Sequence, residues 1–316
     1  MNANLIEQKN AKVSYKKYNI MQIVAICGVI FAIFAILINP TKYIESARRG
    51  IFLWGNSVLP ALFPFLFLTR ILVFLLPQKM CRPAVYVFCL SVVSGYPVSA
   101  KLLSEYYERG EISSVYARRV FSYSSCCGPV FLIGTVGALF FKNTLVFALV
   151  FVVHIVSSLI VGLLLGGFKK EPFKPQILEN KNTNFDMLSD SIFGAISSIL
   201  LVGAYVMLFY VFFDVLCSSH IVGFLCFILK SLGVSQSVAF GVVSGFFEMT
   251  RGVFELGQIG GKLCICLAGA VCSFSGLCVI LQSYTFLKKT GMSFAYILLV
   301  KFLQAVVCFF LLWFLL

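Results

Sequence analysis

A helix-breaking segment interrupts the apolar runs near the end of the first third of the chain. It reads VVSGYPVSAKLLSEYYERG from Val92 to Gly110, with Ser94-Gly95-Tyr96-Pro97 followed by Lys101. Proline suits the first position of a helix and disfavours a helix that runs through it. At membrane depth, non-helical backbone is tolerated only where protein or a water-filled cavity surrounds it. The segment therefore predicts a broken, re-entrant helical hairpin that is also a candidate binding site.

A related segment recurs far downstream, VVSGFFEMTRGVFELG from Val242 to Gly257. Aligned from their first valines, the two segments pair Ser94 with Ser244, Gly95 with Gly245, Val98 with Glu248 and Lys101 with Arg251. We predict a second break at Ser244-Gly245, so that each of two hairpins carries one cation seven positions after its serine.

The surroundings of both segments indicate a polytopic membrane protein. Apolar residues make up 60% of the 316 positions and charged residues only 12%, far from the usual balance of soluble domains. The formal net charge of +13 would suit a nucleic-acid partner, but the cations lie in short loops between apolar runs. That placement is typical of the positive-inside bias of membrane proteins. We therefore expect membrane lipid as a partner and no nucleic acid.

The order of runs predicts an all-α fold of two halves. Residues 1–40 read as a basic cytoplasmic N-terminus and a first transmembrane helix, and 169–184 as a polar cytoplasmic linker. The halves, 41–168 and 185–316, each read as amphipathic helix, span, broken hairpin, broken helix and span. The extra first helix inverts one half relative to the other. Inverted repeats with broken helices are a common plan of secondary transporters, whose substrate binds where the repeats meet.

The candidate substrate-binding residues lie at the breaks and in two Ser/Gly stretches. They are Ser94, Gly95, Tyr96, Pro97, Lys101, Ser124, Ser125, Ser244, Gly245, Glu248, Arg251, Ser273 and Ser275. Helix N-termini and cations favour an anion, so we expect each half to offer a helix terminus, a serine and a cation to one carboxylate. Alternatively, Lys101 and Arg251 pair internally, the serines pack helices, and Glu248 either carries a coupling proton or pairs with Arg251. His154 and His220 suggest no ligand set.

The motifs SGYPVSAK, ERGEIS and ARRVFSYSSCCGPVFLIGTVG resemble the first half of the sporulation integral membrane proteins of the YlbJ type, grouped with the nucleoside-recognition Gate-domain proteins. GFFEMTRG and the Ser-Phe-Ser-Gly-Leu stretch resemble their second half. The likeness covers nearly everything from Tyr43 onward. Two departures are Ser99, where the family commonly has Gly, and Cys126-Cys127, where it more often has Asn/Thr-Ser.

The resemblance implies a role in endospore formation, in moving dipicolinic acid from the mother cell toward the forespore. It places the chain in the bacterial cytoplasmic membrane, in the mother-cell-derived outer forespore membrane, with a cytoplasmic N-terminus. Kinship with nucleoside permeases makes a nucleoside or nucleobase permease the alternative within transport. A non-transporting structural or signalling sporulation protein is the alternative outside it. A homo-oligomer or sporulation membrane partners are also compatible with this interpretation.

Catalysis, cofactors and metals find little support in the sequence. H-E-x-x-H, G-x-S-x-G and Walker-type glycine patterns do not occur. The twelve cysteines are scattered through apolar runs, where cysteine behaves as a small buried apolar residue. We therefore predict a protein that is not an enzyme, with no cofactor and no metal site.

Overall fold

The structure is a computed structural model that describes residues 20–75, 83–166 and 184–316. Those ranges are helical and contain no strand. Residues 1–19 and nearly all of the predicted linker lie outside the described residues. Two compact units divide after Tyr43: the first ends there, and the second runs from Ile44 to Leu316.

Fourteen α-helices occupy the described chain, together with two π-helical segments. In order they are α1 (Ile20–Ile38), α2 (Pro40–Leu53), the π-helical Trp54–Val58, α3 (Leu59–Leu75), α4 (Pro83–Ser94), α5 (Val98–Glu108), α6 (Ser114–Ser124), the π-helical Val130–Phe140, α7 (Thr144–Leu164), α8 (Asn184–Ser218), α9 (Ile221–Ser231), α10 (Gln236–Phe247), α11 (Met249–Ile259), α12 (Gly261–Phe274), α13 (Gly276–Leu287) and α14 (Phe294–Leu315). The predicted first helix, 20–38, coincides with α1.

Five helical stretches of the described chain are long and apolar enough to cross a membrane. They are Pro40–Leu72, Thr144–Leu164, Asp186–Ser218, Gly261–Thr290 and Phe294–Leu315. Large apolar side chains cover their outer faces, such as Phe193, Leu208 and Phe314, which are 67%, 58% and 82% exposed. Apolar surface on this scale is unfavourable in water and favourable against lipid. The chain is therefore an all-helical polytopic membrane protein, as predicted.

The two long helical stretches differ from the sequence prediction. We expected 43–56 and 185–197 to be separate amphipathic helices, the first of them lying in the membrane interface, each followed by its own span. Instead each amphipathic part continues into its span, as Pro40–Leu72 and as the 35-residue α8. Close packing explains the continuity: Trp54 lies against Gly203 and Gly50 against Met207, so the two long stretches run antiparallel along each other.

Both predicted hairpins are present, but the second breaks later than predicted. The first breaks between α4 and α5 at Gly95–Pro97, as expected. The second breaks at Glu248, because α10 continues through Ser244 and Gly245 to Phe247. No proline follows Gly245, so nothing ends the helix there. Close approach of α10 and α11 instead requires glycine at position 252, since a Cβ on Gly252 would lie 2.2 Å from the Gly245 Cα.

Each half also contains a second broken helix, as the Ser/Gly stretches predicted. In the first half, α6 ends at Ser124 and the π-helical segment begins at Val130. In the second half, α12 ends at Phe274 and α13 begins at Gly276, with Ser275 at φ +70 between them. These interruptions pack against the hairpin breaks, which brings four irregular stretches into one region of the core.

Candidate functional site

A small cavity of about 40 Å³ lies where the two hairpin breaks meet. Its wall is formed by Val58, Leu62, Gly95, Tyr96, Cys127, Gly128, Phe131, Val202, Val206, Glu248, Met249, Thr250, Val279 and Gln282. Both halves contribute to it, and so do both hairpin breaks. The volume is sufficient for a few water molecules. The sequence predicted that breaks from both halves would share a chamber, and Gly95, Tyr96 and Glu248 of the predicted set line it.

The first break is held by close backbone contact and by a hydroxyl pair. Gly95 has φ +80, and a Cβ there would lie 2.7 Å from the Gly128 nitrogen, so glycine is required on both counts. The hydroxyls of Ser94 and Thr69 lie 2.5 Å apart. Pro97 precedes α5, whose N-terminus has no side-chain cap. The N-terminal end of α5 is therefore not neutralised by a side chain of its own.

Lys301 on α14 is the residue that the sequence interpretation missed. It is 1% exposed and donates to the hydroxyl of Tyr96 at 2.8 Å, the Ser125 carbonyl at 2.9 Å and the Gln304 side-chain oxygen at 2.7 Å. Tyr96 in turn donates its only hydroxyl proton to the Cys272 carbonyl at 3.1 Å. All three partners of Lys301 therefore act as acceptors, which suits an ammonium with three protons and not a neutral amine with two.

No acidic side chain in the described part of the chain lies within ion-pair distance of Lys301. A buried charge is costly unless it is paired, and most buried charges are. Tyr96 connects this cation to the cavity, because Tyr96 is part of the wall and its hydroxyl accepts from Lys301. The cavity therefore lies one side chain away from a positive charge that no described acid offsets.

Further buried hydrogen bonds join the broken helices of the two halves. Gln304 donates to the Ser122 carbonyl at 3.0 Å. His154 accepts from the Cys127 backbone nitrogen at 2.8 Å, and its other ring nitrogen lies 2.7 Å from the Ser273 hydroxyl. His154 thus has partners from both halves, which the sequence interpretation did not expect. These bonds hold the Ser/Gly stretches, including Ser125 and Ser273, behind the cavity wall.

At the second break, the side chain of Glu248 caps the helix that follows. Glu248 is 1% exposed and accepts from the backbone nitrogens of Thr250 at 3.0 Å and Arg251 at 2.7 Å, so it caps α11. The predicted ion pair between the Glu248 and Arg251 side chains is absent among these contacts. A side-chain carboxylate therefore already satisfies the helix terminus that we expected to face a substrate anion.

Arg251 pairs internally with a residue that the sequence interpretation overlooked. Its guanidinium donates to Asp214 on α8 at 2.9 Å and lies 4.4 Å from the Phe213 ring centroid. Asp214 also accepts from Ser46 and lies 3.6 Å from Arg49. The pair is largely buried, with side-chain exposures of 13% and 9%. Arg251 is therefore neutralised within the protein, which was the alternative weighed for it.

Lys101 lies elsewhere, which contradicts the prediction of two cations in one chamber. Its ammonium donates to Ser198 on α8 at 2.7 Å. Ser198 and Asp214 are 16 residues apart on one helix, or about 24 Å along its axis. The cavity lies between them, because Val202 and Val206 of α8 are part of its wall. The two cations flank the cavity on opposite sides and cannot bind one small solute together.

The remaining predicted serines are buried near the breaks. Ser124 and Ser244 are 0% exposed, and their hydroxyls have no hydrogen-bond partner. Ser275 occupies the turn between α12 and α13, next to Gly276, where a Cβ would lie 2.9 Å from the Met249 nitrogen. None of these three serines forms part of the cavity wall.

One signal could have found Lys301 and Asp214. Both are charged residues inside stretches that otherwise read as spans, and an ionisable residue there is a functional candidate by default. The sequence interpretation applied that rule only to the hairpins. The expectation of no metal site remains a prediction; among the described residues no group of three or more His, Cys, Asp or Glu side chains could hold a metal ion.

Comparison with known proteins identifies one informative relative. The chain is 25% identical over 320 positions to the sporulation integral membrane protein YlbJ of Bacillus subtilis (strain 168), covering 88% of this chain and 78% of the relative. No family model matches the chain. No solved structure matches it either. The similarity extends over most of both proteins and agrees with the all-helical membrane fold, and it supports assignment of the chain to the YlbJ type of sporulation integral membrane proteins.

Proposed function

We propose that the chain is a membrane transporter of small organic anions, with dipicolinic acid as the first candidate substrate. The observation that carries this proposal is the cavity shared by both hairpin breaks, with the buried cation Lys301 directly behind its Tyr96 wall. An anion in the cavity would offset a charge that no described acid offsets. The similarity to a sporulation membrane protein supports a solute that matters in spore formation.

The positions of Lys101 and Arg251 support the proposed inverted repeats. The two residues correspond in the sequence alignment of the hairpins, yet they contact α8 on opposite sides of the cavity. A two-fold axis in the membrane plane would place equivalent residues in this way, one toward each surface. In this proposal, 41–168 and 185–316 are the repeats.

The size of the cavity implies movement during transport. An aromatic ring with two carboxylates needs more room than about 40 Å³. In the proposed mechanism the solute enters when one hairpin moves away from α8, and leaves when the other does. Alternating access of this kind is typical of transporters whose substrate lies between two repeats.

A nucleoside is the second candidate substrate. Apart from Glu248, the cavity wall offers neutral polar groups, notably Tyr96, Thr250 and Gln282, among apolar side chains. Such a wall would suit a neutral planar solute, and Glu248 would then supply a hydrogen-bond acceptor. The Gate-domain resemblance favours this candidate as well, whereas Lys301 favours the anion.

We further propose that the N-terminus is cytoplasmic and that the membrane is the outer forespore membrane. Basic residues lie near the loops that follow α5 and α13. Lys289 pairs there with Glu108, and Arg118 stacks on Tyr296. Basic loops favour the cytoplasmic side.

A flux assay tests the proposed function. Purified protein is reconstituted into liposomes, and uptake of labelled dipicolinate is compared with uptake of labelled uridine and with empty liposomes. We expect saturable dipicolinate flux that excess unlabelled uridine does not inhibit. Uridine flux without dipicolinate flux would favour the nucleoside candidate. Flux of neither solute from a folded, reconstituted protein would contradict transport and favour a structural or signalling role.

A further inference from the structure

Two cations that form no ion pair with a described acidic residue lie next to each other against α8, one helical turn from the cavity wall. Lys101 donates to Ser198. Arg70 of α3 packs flat on Gly194, where a Cβ would lie 2.0 Å from one guanidinium nitrogen. Gly194 and Ser198 are four residues apart on one face of α8, and the Ser198 hydroxyl donates to the Gly194 carbonyl, so the two heads contact adjoining positions of that face. We call this group, Arg70, Lys101, Gly194 and Ser198, the α8 cation pair.

The like charges of Arg70 and Lys101 lie against the same part of α8. Glu105, one turn along α5 from Lys101, is not within ion-pair distance of it. Within the described ranges, neither cation has an acidic side chain within ion-pair distance. Asp190, one turn before Gly194 on α8, forms no ion pair with either of them. Both cations are only partly exposed. Adjacent like charges in a partly buried position are unfavourable unless an anion accompanies them.

The arrangement also has the chemistry of an oxyanion site. A guanidinium and an ammonium together offer the charge-assisted donors that carboxylates and phosphates bind. The absence of a side chain at Gly194 leaves room for the Arg70 guanidinium, because any side chain there would occupy the same space. Ser198 donates to the Gly194 carbonyl at 2.7 Å, which leaves its oxygen free to accept from Lys101.

The pair differs from the other cation that flanks the cavity. Arg251 is bound to Asp214 and is therefore neutralised, whereas among the described residues the hydrogen-bonding partner of the α8 cation pair is the neutral Ser198. From Ser198, one helical turn leads to Val202 in the cavity wall. A solute that approaches the cavity along this side would meet two positive charges that no described carboxylate accompanies, whereas on the other side Arg251 and Arg49 lie at the carboxylate of Asp214.

We propose that Arg70 and Lys101 form an oxyanion-binding site at the entrance to the cavity, which holds a carboxylate of the solute before it reaches the cavity. This inference rests on the proposed transport of organic anions for its role, but not for its chemistry. The same donors would also bind the phosphate of an anionic lipid headgroup, so the experiment must separate the two sources.

Equilibrium binding of labelled dipicolinate to the purified protein in detergent measures the site without requiring transport. We expect Arg70→Gln and Lys101→Gln each to raise the dissociation constant about tenfold, the size of one lost charge-assisted hydrogen bond. Gly194→Ala keeps both charges but displaces the guanidinium, and we expect a similar loss. Lys101→Arg should retain binding within about threefold. Arg48→Gln, an exposed cation that lies 3.9 Å from Glu45, is the matched control and should leave binding unchanged.

The same variants are then reconstituted in phosphatidylcholine nanodiscs with and without phosphatidylglycerol, and their thermal unfolding is compared. Stabilisation by phosphatidylglycerol that disappears in Arg70→Gln and Lys101→Gln, with unchanged dipicolinate binding, would assign the oxyanion to a lipid headgroup and overturn the entrance role. Dipicolinate binding that depends on the pair, in a protein without flux, would support the site and contradict the proposed function. Binding that is equal in wild type and in all three loss-of-site variants would overturn the inference.

Discussion

The two hairpin breaks stabilise their interrupted helix ends in different ways. At the first, Gly95 packs on the backbone of Gly128, Tyr96 hydrogen-bonds to both α14 and α12, and the following helix has no side-chain cap. At the second, Glu248 caps α11. The first break therefore depends on contacts with other helices, whereas the second is satisfied largely by its own residues.

The cations of the two hairpins show the same contrast. Arg251 forms an ion pair with Asp214, whereas the hydrogen-bonding partner of Lys101 in the described part of the chain is the neutral Ser198. In the proposed inverted repeats, equivalent hairpins would exchange roles when the proposed transporter changes conformation. We interpret the first hairpin as the one that responds to a solute in the described conformation, and the second as the one that is held in place.

Substitution of Gly95 is expected to have the largest effect. Gly95→Ala adds strain at φ +80 and places a methyl group 2.7 Å from a backbone nitrogen that cannot move independently. We expect a loss of about 4 kcal/mol of stability, at the upper end for a single substitution. At the matched change Gly245→Ala, the nearest atoms are those of the Val271 side chain, whose two methyl groups lie at 2.7 Å and 2.9 Å, and the backbone conformation is helical.

Thermal unfolding in detergent compares the two glycine variants. We expect Gly245→Ala to retain most of the folded protein under conditions in which Gly95→Ala does not. Equal losses would show that the two breaks are equally constrained, and the contrast between them would not hold.

Loss of Asp214 should destabilise the second hairpin. Asp214→Ala leaves the Arg251 guanidinium buried without its carboxylate, and breaking a buried ion pair costs about 3 kcal/mol. The double variant Asp214→Ala with Arg251→Met removes both charges and should recover a large part of that stability. Unfolding midpoints of the single and double variants measure the coupling. If the double variant is no more stable than Asp214→Ala, Arg251 does not depend on this partner.

Replacement of Lys301 should abolish transport at a smaller cost to folding. Lys301→Met keeps the length of the side chain and removes the positive charge behind Tyr96. We expect dipicolinate flux to fall about 100-fold, equivalent to about 2.7 kcal/mol, because the anion in the cavity then loses the positive charge directly behind the Tyr96 wall. Lys262→Met, on a cation over the exposed Trp313 ring, is the control. Flux within about twofold of wild type in Lys301→Met would remove the main support for an anionic substrate.

The smallest expected effect is that of Glu248→Gln. The amide keeps one acceptor for the backbone nitrogens of Thr250 and Arg251, so the cap should weaken by about 1 kcal/mol. If Glu248 serves only as a cap, the dependence of flux on pH should not change. A pH profile that flattens in Glu248→Gln would instead show that this carboxyl carries a coupling proton, and that the second break is not merely structural.

The sequence was sufficient to predict the helical membrane fold, the two broken hairpins and the meeting of their breaks. Apolar runs and the Gly-Tyr-Pro segment determine those features locally. The sequence was not sufficient to locate the second break. That break lies at Glu248, where a capping carboxylate begins α11 without a proline. Nor could the sequence assign partners to Arg251 or Lys301, because Asp214 and Tyr96 are distant in the chain and are brought close only by packing.

The length of α8 has an electrical consequence. The contacts at Ser198 and Asp214 are separated by about 24 Å, most of the roughly 30 Å hydrocarbon thickness of a bilayer. A solute that passes from one to the other would cross most of the voltage drop, which is worth about 2.3 kcal/mol per elementary charge at 100 mV. A dianion leaving a cell with a negative interior would therefore be driven outward by the membrane voltage itself, and its release would require no coupled ion.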